Sequence, residues 1–225
     1  MRTQSTATTQ YQSIRTVLDL FRQRYPQCEL RMREVLPVDP FGPLRAGSID
    51  IGILWLPVRE PDLVVGPVLH REDLVLAVAA GHPLAGRHEV ELEDLGDHPV
   101  VHPEGPIPDY VWEAHTPSTT PAGRPIRRGL GIGTLEEAFR AIADGGVVSP
   151  IGSDAASTRQ RGDIVFLPIT DGPVLHYAPV WRSGGETPLI RAFVQAAAEA
   201  RTRPPSSPGS HAGASRTGGA SDIGA

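Results

Sequence analysis

The sequence predicts an α/β protein, on three observations. Nearly continuous apolar runs, IDIGILWL at 49–56 and LVLAVAA at 74–80, read as strands buried on both faces, as the strands of parallel sheets are. Stripes of apolar residues at helical spacing fall between and around them, so strand and helix alternate along the chain. The apolar share, 40% of 225 residues, suffices for a sizeable core without disulfide or metal staples.

Taken in order, Ile14, Val17, Leu18 and Phe21 recur at i, i+3, i+4 and i+7 and mark a helix that Pro26 stops just after Tyr25. Leu30 and Met32 alternate with charged neighbours, as in a half-buried strand, and LPVDPFGP begins a short helix closed by Gly47. The strand at 49–56 follows, then strands at 63–69 and 74–80. GHPLAG turns the chain into VELEDLGDHPVV, a short helix leading into a strand. From 103 to 133 prolines abound and the backbone is expected to be mostly irregular, with one aromatic helical piece around Tyr110 and Trp112. Thr134 and Glu137 form a capping box, and Leu135, Ala138, Phe139 and Ile142 supply the apolar face of the helix it opens, which runs to Asp144 and Gly145. VVSPI, IVFLPI and HYAPVW are strands, and 187–201 is a last amphipathic helix on Leu189, Ile190, Phe193, Val194 and Ala197. Beyond Pro204 the only large aliphatic residue is Ile223, so 202–225 is expected to be a disordered tail.

All 21 basic residues are arginine, and against 26 acids the formal charge is −5, the wrong sign for a nonspecific nucleic-acid binder. Cys28 is the single cysteine, which excludes an intramolecular disulfide. No apolar run approaches the roughly 20 residues of a membrane helix, and MRTQSTATTQ does not read as a secretion leader. The expectation is a soluble, cytoplasmic chain with no membrane partner.

Catalytic and cofactor chemistry finds little support. The eight histidines are scattered, and the one pair at helical spacing, His98 and His102, is flanked by Pro99 and Pro103, so no metal site is expected. GLGIG at 129–133 lacks the preceding buried strand, the glycine spacing and the later acidic residue of a dinucleotide site. Neither a Gly-x-Ser-x-Gly elbow nor a Ser-x-x-Lys pair occurs. The sequence therefore predicts a non-enzyme without cofactor.

Binding residues are easier to nominate. Hydroxyls at a helix start either cap the helix or help free N–H groups hold a ligand carboxylate, which applies to the STATT run at 5–9 and to Gly133 and Thr134. Trp55 ends a buried strand at the edge where open α/β sheets place ligands, and it reads either as a stacking wall or as a core aromatic. Pro37, Val38 and Asp39 lie in a loop on the same rim, and HPEG at 102–105 leaves a later strand.

Four segments, in order, carry a family resemblance: LDLFRQRYPQCELRMRE (18–34), LRAGSIDIGILW (44–55), EDLVLAVAAGHPLAG (72–86) with EDLGDHPVV after it, and TLEEAFRAIADGGVVSPI (134–151). Together, over about 10–200, they resemble the effector-binding domain of LysR-type transcriptional regulators. The resemblance implies a type-2 periplasmic-binding-protein-like fold, with two α/β subdomains joined by a double crossover around an inter-domain cleft. Subdomain I would comprise 1–73 and 169–201, and subdomain II 74–168, with crossings near Asp73 and near 167–169. A first strand is implied at about 1–6, where MRTQST offers a single apolar residue. The cleft would be lined by Thr8, Thr9, Val38, Asp39, Trp55, His102, Gly105, Gly133 and Thr134. The implied partner is a small-molecule effector, a carboxylate or an aromatic compound, and the implied assembly is a homodimer or higher oligomer. DNA would be reached only through a winged helix-turn-helix module, which relatives carry ahead of this domain and this chain lacks. The second reading is a free-standing cytoplasmic small-molecule-binding protein, or a truncated regulator remnant without DNA-binding activity.

Overall fold

The structure is a computed structural model that describes residues 2–5, 10–159 and 161–200. Its first sheet is built around β1 (Arg2–Ser5), which pairs in parallel with β2 (Arg31–Arg33) on one side and β3 (Ile51–Trp55) on the other. The first strand implied by the resemblance is therefore present. β3 is buried along its length up to the half-buried Trp55, as its continuous apolar run requires. β11 (Leu175–Arg182) runs antiparallel to β3, and on its other side to β4 (Leu63–Val65) and β5 (His70–Glu72).

Two long helices pack on one another over this sheet, α1 (Gln10–Arg24) and α6 (Pro188–Ala200). The stripe Ile14, Val17, Leu18 and Phe21 is fully buried, and the Phe21 ring meets Phe193 at 5.7 Å. The short α2 (Gly42–Arg45) carries Pro43 in its first turn, where the missing N–H costs no hydrogen bond.

The second sheet is antiparallel, with β6 (Leu74–Ala79) between β9 (Ser149–Gly152) and β10 (Ile164–Pro168). A parallel pair, β7 (Val100–Pro103) and β8 (Arg128–Ile132), adjoins it through a bridge from Val100 to Val148. α3 (Asp109–Glu113), α4 (Leu135–Ala143) and α5 (Ser153–Thr158) complete this half. One residue, Asp73, separates β5 of the first sheet from β6 of the second, and the chain returns between β10 and β11. The two connecting strands lie side by side, with Glu72 opposite Leu175 and His70 opposite Tyr177. The fold is the type-2 periplasmic-binding-protein-like one.

Three expectations need correction. The strand expected at 63–69 ends at Val65 and resumes as β5, because Pro67 has no N–H for the ladder. β2 is exposed at every residue rather than half-buried, as suits an edge strand. The proline-rich stretch, expected to be mostly irregular, contains a regular strand, β8. Gly129 in it is there for packing, since a Cβ would come within 2.6 Å of the Val147 side chain.

Candidate functional site

Between the two sheets opens a cleft with about 870 Å³ of atom-free space, part of it continuous with solvent. Val35, Val38, Trp55 and Tyr177 line it from the first sheet and its loops, and Ile132, Leu135, Ala138 and Ile151 from the second half. Its lining is mostly apolar, with polar chemistry at two places.

One is an aromatic row along the floor. Ring centroids run from Trp112 to His115 at 4.9 Å, on to Trp55 at 5.2 Å, to Tyr177 at 6.5 Å and to His70 at 5.9 Å. The indole Nε1 of Trp55 is buried and has no hydrogen-bond partner. Desolvation holds the His115 imidazole down at about 4, opposed by its hydrogen bonds to the backbone of Val111 and Trp112. The ring is neutral at physiological pH.

The other is a carboxylate cluster at the two connecting strands. Glu72, in β5, is 7% exposed, and it accepts hydrogen bonds from the Tyr177 hydroxyl and, at 3.0 Å, from the Asp154 backbone N–H at the start of α5. Gly152 leaves the space this carboxylate occupies, since a Cβ there would run into it. Burial pushes the Glu72 carboxyl above its ordinary value, while the two donated hydrogen bonds pull it back. Nε2 of His70 lies 2.7 Å from Asp154 Oδ2. His70, Glu72 and Asp154 each offer one ligand atom within 4.8 Å of the others, a donor set of the kind that suits a divalent cation. Glu34 adds a third carboxylate on the rim. None of the described lining residues is an arginine, and the chain contains no lysine.

Of the residues nominated from the sequence, Val38, Trp55 and Thr134 line this cleft, as does Pro37. Thr8 and Thr9 lie outside the described residues. Asp39 is committed elsewhere: its Oδ1 accepts the Gly42 N–H at 2.9 Å, at the start of α2. His102 and Gly105 line a neighbouring pocket, and Gly105 backs against Val38 so closely that a Cβ would approach it to 2.7 Å. Gly133 does not line the cleft, and its N–H donates to Glu137 Oε2 at 2.7 Å. The Thr134 N–H donates to the same oxygen at 3.2 Å, and its Oγ1 accepts the Glu137 N–H. The two N–H groups offered to a ligand anion are thus taken by the helix's own glutamate. The residues not nominated are His70, Glu72, Trp112, His115, Asp154 and Tyr177. One available signal was a glutamate two residues ahead of a buried strand, in REDLVLAVAA.

Against known proteins, the LysR substrate binding domain family matches residues 4–202. The chain belongs to this family. The transcriptional regulator AlsR of Bacillus subtilis is 29% identical over 91 residues, 40% of this chain and 30% of that protein. A probable hydrogen peroxide-inducible genes activator of Mycobacterium avium is 35% identical over 86 residues, 38% of this chain and 27% of that protein. The matches thus span about a third or less of these relatives' length. Among solved structures, the BenM effector binding domain with its effector benzoate superposes with a TM-score of 0.68, covering 90% of this chain and 91% of that one at 20% identity. The fold of this family is thereby shared, whereas cleft chemistry must be read from the chain's own residues.

Proposed function

We propose that the chain is the effector-binding domain of a LysR-type transcriptional regulator, holding a small molecule in the cleft between its subdomains. The observation that carries this reading is the unpartnered, buried Trp55 Nε1 on the floor of a mostly apolar cleft between the two halves. Buried polar atoms without partners are rare, and here a ligand is the natural partner. The division into 1–73 with 169–201 and 74–168 belongs to the same reading, supported by the separate hydrogen-bonded sheets. A ligand touching Val38 and Trp55 on one side and Thr134 on the other would favour a closed arrangement by its differential affinity for it.

The reading extends to the whole protein: a cytoplasmic, non-catalytic regulator, homodimeric or larger, that meets DNA through a winged-helix module. No helix among the described residues is long and apolar enough to cross a membrane. Of the two ligand features the sequence suggests, the aromatic row favours an aromatic or apolar body.

The test is a thermal-shift screen of small metabolites followed by calorimetry and mass spectrometry of the mixture. The reading expects a compound that raises the melting temperature, binds one per chain, loses affinity in Trp55→Phe and is recovered unchanged. Chemical turnover of the bound compound would overturn the regulator reading in favour of an enzyme.

A further inference from the structure

We infer that the second half of the molecule holds a further ligand site, separate from the cleft, in the pocket between β7, β8 and the segment around α3, and that it takes a small zwitterion of the amino-acid kind. The inference goes beyond the effector-site reading and does not depend on it.

This pocket has about 620 Å³ of atom-free space, part of it open to solvent. Trp112 is the wall it shares with the cleft, and no other described residue lines both. Its lining includes two polar side-chain atoms that the fold does not satisfy. Thr116 is 6% exposed, and its Oγ1 has no hydrogen-bond partner among the described residues. The same holds for the buried Nδ1 of His102, on β7. A buried hydroxyl normally finds a partner. Thr120, four residues on and just as buried, does so: its Oγ1 donates to Glu93 Oε1 and accepts the Arg124 N–H, both at 3.1 Å. A hydroxyl and a ring nitrogen can each donate or accept, so the pair at Thr116 and His102 suits a molecule that offers both capacities.

The charges lining the pocket are exposed and of both signs. Asp109 and Glu113 stand one turn apart on α3, and Arg127 and Arg128 lie where β8 begins. A molecule of net charge would be drawn by one pair and repelled by the other, whereas an ammonium and a carboxylate on one small molecule meet an opposite charge at each end. Exposed charges contribute little energy, so they set the class of ligand while the two buried atoms set its affinity.

The experiment is a thermal-shift screen of the common amino acids on the full 225-residue chain, with calorimetry on those that bind. At least one is expected to raise the melting temperature and to bind one per chain, equally in wild type and in Trp55→Phe. Thr116→Val keeps the side chain's shape and removes its hydroxyl. It should weaken that binding at least about tenfold without lowering the melting temperature of the free chain, because the hydroxyl has no bond to lose. His102→Phe, at a less buried position, should weaken it in the same direction and answers the question if the valine variant fails to fold. The methyl ester of the same amino acid, a cation, and its N-acetyl derivative, an anion, should each bind several-fold more weakly than the parent. A derivative binding tighter than its parent would overturn the zwitterion. Binding that survives both Thr116→Val and His102→Phe would overturn the site, and if it falls instead in Trp55→Phe, the amino acid sits in the cleft and the effector-site reading stands. If no amino acid binds, the inference is overturned and the two atoms are met by water alone.

Discussion

At one end of the cleft, where β5 and β11 join the two halves, the buried polar groups are partnered by groups from distant segments: Glu72 by Tyr177 and by the amide of Asp154, and Asp154 by His70. At the other end Trp55 Nε1 is buried with no partner. The first end is completed by folding itself. The second keeps hydrogen-bonding capacity that folding does not use, and it lies along the row of rings that a flat or apolar molecule can cover. A buried polar atom left unpaired costs about 1–3 kcal/mol, so the aromatic end is the part of the molecule whose free energy a ligand can most improve.

This contrast predicts a graded set of responses. The largest belongs to Glu72→Ala, which strips the acceptor from both the Tyr177 hydroxyl and the Asp154 amide and should lower unfolding stability in denaturant by about 4 kcal/mol. A loss below about 1 kcal/mol would mean that the connecting end is not held by these bonds. Next comes acid. His115 is held at about 4 in the folded chain against 6.5 when unfolded, so the unfolded state binds more protons between those values and stability falls as pH drops through that window. About 3 kcal/mol should be lost across it, measured by denaturant titration at each pH, and His115→Phe should flatten that part of the profile. Tyr177→Phe removes one donor from Glu72 and should cost about 2 kcal/mol. The smallest effect on stability belongs to Trp55→Phe, below about 1 kcal/mol, because its N–H has no partner to lose. Its measurable consequence is weaker ligand binding, and a large stability loss there would erase the distinction between the two ends.

The starts of α4 and α5 show how much of this was legible. Thr134 and Glu137 are three residues apart, and their mutual capping is a local arrangement that a pattern of residue types announces. The same closeness in sequence explains why Gly133 and Thr134 fail as anion donors, since the glutamate that signals the helix also occupies its free amides. At α5 the carboxylate that meets the Asp154 amide comes from Glu72, 82 residues earlier, and no local pattern marks that pairing. His70, likewise, looked like one of several scattered histidines until β5 was laid against β11 and beside α5.

By itself the sequence determined the alternation of helices and buried strands, the stripe on α1, the cap of α4 and the family, because hydrophobic periodicity and capping act over a few residues and leave their mark there. Trp55 and Val38 were also readable, as residues at the edge of a buried strand and its neighbouring loop. Only the tertiary structure decided which groups meet in the cleft and which polar atoms stay unsatisfied. Those properties depend on groups brought together from β3, β5, β11, the segment after α3 and the start of α5, and burial acts on each group through neighbours that are remote along the chain.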